Sequence, residues 1–195
     1  MKWGNSVRNT LSQPANLTGS LLVALPALLD PNFRRAILFL MRHDPSEGAM
    51  GVILNRPTDS LLPDVDADIP EGLGNVTVYE GGPVETRQLI LARMIRIDEG
   101  GGGASFEALG REDCSPLLDL PKGDFRAFVG YAGWSKGQLE REIAEKSWIV
   151  TPPTPDLLTA PLSREEGDAQ WRRLMRNQGP WNHLMSGAPD DLSLN

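Results

Sequence analysis

The sequence predicts an α+β fold built on a largely antiparallel, curved sheet with a few flanking helices. Three observations predict it. Short apolar runs bounded by Gly and Pro recur along the chain, which is the pattern of buried strands. The early runs follow one another through a short polar linker, so these strands are expected to pair antiparallel. Helical patterns come late instead of alternating with the strands, which favours α+β over a doubly wound parallel sheet.

Seven apolar runs are predicted as strands. In chain order they are 21–25, 36–41, 48–57, 76–79, 89–97, 125–131 and 148–150. The second run is apolar throughout, which predicts a central strand. The linker 43–47 joins it to the third run as a hairpin, and Asp30-Pro31-Asn32-Phe33 before it is turn chemistry. Between 60 and 74, Pro63 and Pro70 permit only a broken helix or a loop.

Two helices are predicted in the last third of the chain. The first begins at Ser135, with Gln138 at the spacing of a capping box. The second spans 163–177 and opens with the same spacing. Its capping pair is Ser163 and Glu166, and its apolar stripe is Trp171, Leu174 and Met175. After Gly179-Pro180 the chain is predicted to continue as a polar tail.

Length, charge and cysteine content limit the functional classes. The 195 residues are predicted to form one domain, 1–195, with loose tails at 1–14 and 186–195. A net charge of −7 works against direct binding to DNA or to anionic membranes, because those surfaces require surplus Lys and Arg. The single cysteine, Cys114, permits no internal disulfide. The apolar stretch 17–29 is broken by Pro26 and too short to span a bilayer, so a cytoplasmic location is predicted.

One segment has a catalytic pattern. Gly133 to Gly137 reads G-x-S-x-G between a strand and a helix, as in the nucleophile elbow of α/β-hydrolases. Asp156 or Asp168 and then His183 follow in the order of such a triad. Against this, Ser135 is fully explained as a helix N-cap, and the repeated βαβ units of a hydrolase are missing. The N-cap is the preferred interpretation.

No metal or cofactor site is predicted. His43, Asp44 and Glu47 form the one possible metal cluster, but the only other histidine is His183, and an exposed turn is the preferred interpretation. The Gly100-Gly103 run lacks the Lys-Ser or Lys-Thr that a phosphate-binding loop requires before its helix. It is predicted to be an exposed turn.

The candidate site is a set of glycine-rich corners at which three strands end. Glycine allows close backbone approach or positive φ, and three such corners at one edge of a sheet predict a shared groove for a small molecule or a peptide, with Arg56 as the charged contact. The alternative is purely structural, with three tight corners packed on one another and Trp134 as a plug. The candidate residues are Asn55, Arg56, Gly81, Gly82, Pro83, Tyr131, Gly133, Trp134 and Gln138.

The same segments resemble the AlgH/YqgE family of bacterial proteins. The matching pieces are Gly19–Pro26, Asp30–Phe33, Gly48–Gly51 with Asn55–Pro57, Gly81–Val84, and Gly130–Trp134 with Gly137–Glu140. In order and spacing they cover about residues 17 to 178. The resemblance implies an α+β fold whose bifurcated sheet wraps into a pseudo-barrel. It also carries the label of transcriptional regulator attached to some members, and it transfers no catalytic residue and no cofactor.

Three functional hypotheses follow. The first is a non-enzymatic cytoplasmic protein that contacts a protein or a small ligand at the glycine corners. The second is a transcriptional regulator that acts through a protein partner instead of binding DNA directly. The third is a serine hydrolase using Ser135, against which relatives that carry Gly at this position also argue.

Overall fold

The computed structural model describes residues 16–69, 71–97, 103–109, 125–153 and 163–187. In these ranges the chain forms strands β1 Leu21–Ala24, β2 Ile37–Asp44, β3 Gly48–Ile53, β4 Pro57–Leu61, β5 Thr77–Glu80, β6 Val84–Ile97, β7 Gly103–Leu109, β8 Phe125–Ser135 and β9 Trp148–Thr151. The helices are α1 Leu62–Val65, α2 Gln138–Ala144, α3 Arg164–Arg176 and α4 Pro180–Ser186, with a 3-10 turn at Glu71–Leu73. The predicted α+β class is confirmed.

The sheet divides at β8. The strands follow the order β4-β5-β8-β3-β2-β1-β9, and β6 with its partner β7 branches from β8. Residues 132–135 of β8 pair with β3, whereas residues 125–129 lie between β5 and β6. Among the described strands only β5 and β8 pair in parallel. The largely antiparallel, curled sheet therefore agrees with the prediction, and β2 lies centrally as predicted.

Both faces of the sheet are buried. Along β1, Leu21 and Val23 belong to one apolar cluster and Leu22 and Ala24 to another, and all four are at most 2% exposed. Alternate residues of a strand point to opposite faces, so the first face is covered by α3 and the second by α2. This two-sided burial is the reason why the central strands are continuous apolar runs.

The indole of Trp171 attaches helix α3 to the sheet. Trp171 is 1% exposed, and its Nε1 donates a hydrogen bond to Ala24 O at 2.7 Å. Ser163 is the N-cap, because its Oγ accepts from the Glu166 amide at 3.2 Å. The predicted cap and apolar stripe of this helix are confirmed. Between 60 and 74, where a broken helix or a loop is predicted, the structure has α1 and the 3-10 turn.

The corner predicted at Ala132-Gly133-Trp134 is wrong. Strand β8 continues to Ser135, because its last four residues form a regular antiparallel ladder with the start of β3. Helix α2 consequently begins at Gln138 after Gly137, which has φ +69°. Ser135 is not its N-cap. The amide and hydroxyl of Ser135 instead donate to Gln138 Oε1, at 3.1 and 3.0 Å.

Three elements were not predicted. The tail expected after Gly179 is in part helix α4, whose first residue, Pro180, fits the first position of a helix. Strand β4 is a polar segment at one end of the strand order, and β7 pairs with β6. A polar strand at a sheet edge lacks the apolar pattern on which sequence interpretation depends.

Some predictions fall outside the described residues. They concern the tail 1–14, the turn 100–102, Cys114, Asp156 and the tail beyond residue 187. Within the described ranges, every helix falls short of the length and apolar character needed to cross a membrane.

Candidate functional site

Arg56 lies between β3 and β4, and its side chain forms hydrogen bonds with the turn after β1. Its Nη1 donates to Asn32 O at 2.9 Å and its Nη2 to Arg34 O at 3.0 Å, and Nη2 also lies 3.5 Å from Pro31 O. Burial lowers the pKa of Arg56 from its ordinary value, and the nearby Glu80 carboxylate opposes that shift. The guanidinium remains protonated near neutral pH. These hydrogen bonds hold the 31–34 turn in place.

Asn55, the neighbour of Arg56, is a structural residue of the core. It is 4% exposed, and its Oδ1 accepts from the Ile37 amide at 2.8 Å. Its Nδ2 donates to Arg35 O at 2.9 Å and to Gly167 O at 3.2 Å. The amide therefore joins β2, the preceding turn and α3, and all three of its hydrogen bonds are to backbone groups.

Gly81 and Gly82 lie directly against the backbone of β8. The Gly81 amide donates to Val129 O at 2.8 Å. A Cβ on Gly81 would collide with Gly130 O, and one on Gly82, which has φ +152°, would collide with the carbonyl of Tyr131. These glycines are needed for close backbone approach, as the structural alternative expects. The same packing gives the corner a rigid wall.

Two of the predicted corners enclose a cleft of about 300 Å³. Ile53 and Val129 supply its apolar floor. Glu80 at its rim forms an ion pair with Arg164 in the first turn of α3, and both side chains are exposed to solvent. The cleft thus combines an apolar floor with charged groups of both signs. Its lining residues are Asn32, Ile53, Arg56, Glu80, Gly82, Pro83, Thr86 and Val129.

Thr86, which lines the cleft, lies in an irregular segment of β6 that we call the 85–88 bulge. Val84 pairs with Tyr131 and Leu89 with Val129, so β6 takes five steps where β8 takes two. The four intervening residues are exposed, and Glu85 has φ +46°. A non-glycine residue in this region is strained, and such residues concentrate at functional sites. The sequence carries no signal for this bulge.

Trp134 lies outside the cleft, on the face of the sheet that α2 covers. It is 5% exposed and stacks against Phe33 with ring centroids 6.1 Å apart. Its Nε1 donates to Glu142 Oε2 at 2.9 Å, and Trp148 Nε1 donates to the same oxygen at 2.8 Å. Gln138 donates to the other oxygen of Glu142 at 2.9 Å. Trp134 and Gln138 therefore belong to a structural cluster behind the 31–35 turn.

The predicted site consequently divides into two groups. Arg56, Gly82 and Pro83 line the cleft, with Gly81 behind its wall. Tyr131 and Gly133 do not line it, since they lie along β8, where the Tyr131 ring approaches Gly133. The expected meeting of all three corners is corrected, because the third corner is a regular strand.

His43 is not in an exposed turn. It lies in β2, is 2% exposed, and its Nδ1 accepts from the Leu17 amide at 3.0 Å. Nε2 therefore carries the proton and donates to Glu140 Oε1 at 3.0 Å. Asp44 accepts from the hydroxyl and amide of Ser46, and these bonds lower the pKa of Asp44. In the described ranges, no group of three or more His, Cys, Asp or Glu could hold a metal ion.

The serine-hydrolase triad is not assembled in the described residues. The Ser135 hydroxyl donates to Gln138 Oε1 at 3.0 Å. His43 is engaged by Leu17 and Glu140, and His183 lies in α4. Asp168 is paired with Arg35 at 2.9 Å. The Ser-Asp-His order in the sequence therefore does not correspond to a catalytic arrangement in the described residues.

Comparisons with known proteins agree on one family. The model of the AlgH-like family matches residues 21–182. A UPF0301 protein of Streptomyces coelicolor is 37% identical over 200 residues, which cover 95% of this chain and 98% of the relative. A UPF0301 protein of Thioalkalivibrio sulfidiphilus is 32% identical over 193 residues, which cover 91% and 97%.

Two solved structures are similar in fold. A protein from Corynebacterium diphtheriae aligns with a TM-score of 0.69 at 23% identity, over 92% of this chain and 96% of that chain. The solution structure of the AlgH protein from Pseudomonas aeruginosa aligns with a TM-score of 0.60 at 26% identity, over 91% and 97%. None of these names states an enzymatic activity.

Proposed function

The chain belongs to the AlgH-like family, and from this premise we propose that it is a non-enzymatic binding protein whose cleft takes a small polar molecule. The observation that carries the proposal is the placement of Arg56 in the wall of a cleft with an apolar floor. A guanidinium has five N–H donors. The carbonyls of the 31–34 turn occupy only some of them, so Arg56 can also donate to a bound molecule.

The composition of the cleft supports a binding role. Ligand sites combine apolar walls with a few fixed polar groups and begin at about 300 Å³, which is the volume of this cleft. Ile53 and Val129 supply the apolar surface, and Arg56 and Glu80 supply a donor and an acceptor. The expected ligand is therefore small, with hydrogen-bond acceptors on an apolar body.

The chemistry of the lining argues against catalysis. Among the described lining residues the titratable groups are Arg56 and Glu80. An arginine does not exchange its proton near neutral pH, and Glu80 is paired with Arg164. A general acid and base placed within reach of one reacting atom, as proton-transfer catalysis requires, is not formed by this pair.

Filling the cleft tests the proposal. Thr86→Trp adds a large side chain to the lining, while Gln88→Trp adds the same bulk to the same bulge outside it. A set of small polar fragments is screened by amide NMR shifts on the wild type. We expect fragments that shift the amides around Arg56 and Gly82, with roughly tenfold weaker binding in Thr86→Trp, about 1.4 kcal/mol.

The matched variant makes the result decisive. Gln88→Trp is expected to bind the same fragments as the wild type, because it leaves the cleft open. Equal binding by wild type and Thr86→Trp would contradict the proposal. So would fragment shifts confined to residues far from the cleft.

A second candidate, regulation of transcription through a protein partner, is favoured by the surface of α4. Trp181 and Leu184 lie three residues apart on this helix and are each 69% exposed. Neighbouring apolar side chains of this kind are typical of protein contacts. The net charge of −7 makes a protein partner more suitable than DNA itself. For both candidates we propose a cytoplasmic location, with which a single cysteine is compatible.

Transcript profiles separate the two candidates. If α4 contacts a regulator, we expect Trp181→Ser combined with Leu184→Ser to reproduce the transcript changes of a gene deletion. Leu29→Ser, which alters another exposed apolar residue (63% exposed), is expected to leave them unchanged. A double variant with wild-type transcripts would exclude α4 as the contact.

A further inference from the structure

Arg126 is a buried cation held between aromatic rings. It lies on β8, is 2% exposed, and its guanidinium carbon is 5.6 Å from the centroid of Tyr79 and 5.3 Å from that of Phe106. The Phe128 ring packs against both of these rings. We call Tyr79, Phe106 and Phe128 the aromatic box. It shares no residue with the lining of the Arg56 cleft.

The described residues supply no carboxylate counter-charge to this cation. Burial lowers the pKa of Arg126 to about 10, so the side chain is still charged at neutral pH. In the described part of the chain no carboxylate forms an ion pair with it. Its Nη1 is buried and has no hydrogen-bond acceptor among the residues that the structure describes. A buried charge without a partner is strongly destabilising, and ring faces offset only part of that cost.

Arg35 provides an internal comparison. It is also buried, at 8% exposure, and its guanidinium lies 5.7 Å from the ring centroid of Trp171. Unlike Arg126, it forms an ion pair with Asp168 at 2.9 Å. Among the described residues there is therefore one buried arginine with aromatic packing and a carboxylate partner, and one with aromatic packing and no ion pair.

We infer that Arg126 anchors an anion site within the aromatic box and that its ligand is a small oxyanion, a carboxylate or a phosphate. Guanidinium donors match the oxygens of both groups. Apolar walls strengthen this attraction, because the effective dielectric constant is low. Phe106 is the most exposed ring of the box, at 8%, so this ring is where we place the entry of the ion. The site is independent of the proposed function.

Thermal unfolding at constant ionic strength tests this site. Sodium formate or sodium phosphate replaces sodium chloride stepwise, with wild type, Arg126→Met and Arg35→Met compared. A ligand that binds the native state raises the melting temperature with its concentration. We expect this rise for wild type and Arg35→Met and its loss in Arg126→Met. Response to formate alone identifies a carboxylate site, and response to phosphate alone identifies a phosphate site.

A second measurement does not depend on the stability of the variants. The side-chain Nε resonance of Arg126 is followed by NMR in wild-type protein during the same titrations, and Arg126→Lys is included because it retains the positive charge. We expect a saturable shift for the wild type and at least roughly tenfold weaker binding for Arg126→Lys. An Nε resonance that does not respond would overturn the inference, as would equal anion responses of wild type and Arg126→Met.

Discussion

Replacing Asn55 by Leu is expected to lower the free energy of unfolding by about 4 kcal/mol, since three buried backbone groups lose their partner at about 1–3 kcal/mol each. The groups are the Ile37 amide and the carbonyls of Arg35 and Gly167. Leucine has nearly the same shape as asparagine, so the loss reports hydrogen bonding and not a cavity. Urea denaturation followed by tryptophan fluorescence measures it.

Asn75→Leu is the control for this prediction. Asn75 is exposed, and a surface substitution of this kind is expected to change stability by no more than about 0.5 kcal/mol. Asn55→Asp adds a second comparison, because it keeps the acceptor for Ile37 but turns a charged oxygen toward the two carbonyls. We expect it to be at least as destabilising as Asn55→Leu. A loss below about 1 kcal/mol in Asn55→Leu would mean that water replaces the amide.

The sequence predicts best those elements whose pattern lies within a few neighbouring residues. The runs that became β1 and β2 were predicted because both faces of the sheet are covered, so alternate residues belong to two clusters and all are apolar. The cap at Ser163 was predicted because its partner is three residues away. In both cases the signal lies within a few neighbouring residues. Local pattern is therefore sufficient for these elements.

Long-range pairing explains what the sequence did not predict. The amide of Asn55 meets Gly167, which is 112 residues away, and nothing in the local pattern marks that contact. Gly133 and Trp134 have the composition of a corner, but pairing with β3 extends the strand through both. Glycine therefore predicted corners correctly at Gly81-Gly82 and incorrectly in β8. Which corners meet depends on strand register, and no single segment encodes it.

Among the residues that line the cleft, Gly82 is the glycine at which an added side chain is expected to destabilise the fold. Gly82→Ala is expected to cost about 4 kcal/mol or to prevent folding, because it combines overpacking of about 1–3 kcal/mol with the strain of a positive φ, about 1–2 kcal/mol. Its φ is +152°, and the added Cβ would meet the backbone of Tyr131 and Ala132. Main chain inside a sheet cannot move aside as a flexible side chain does.

Gly137→Ala separates these two costs. Gly137 has φ +69°, and a Cβ there would have no atom within 4 Å, so only the conformational penalty of about 1–2 kcal/mol is expected. Denaturant unfolding of both variants gives the difference directly. If Gly82→Ala is no less stable than Gly137→Ala, the backbone of this corner shifts to accommodate the added Cβ, and the wall of the cleft is not rigid. A large difference in stability between the two variants means that the backbone bounding the Arg56 cleft is rigid, as a preformed binding site requires.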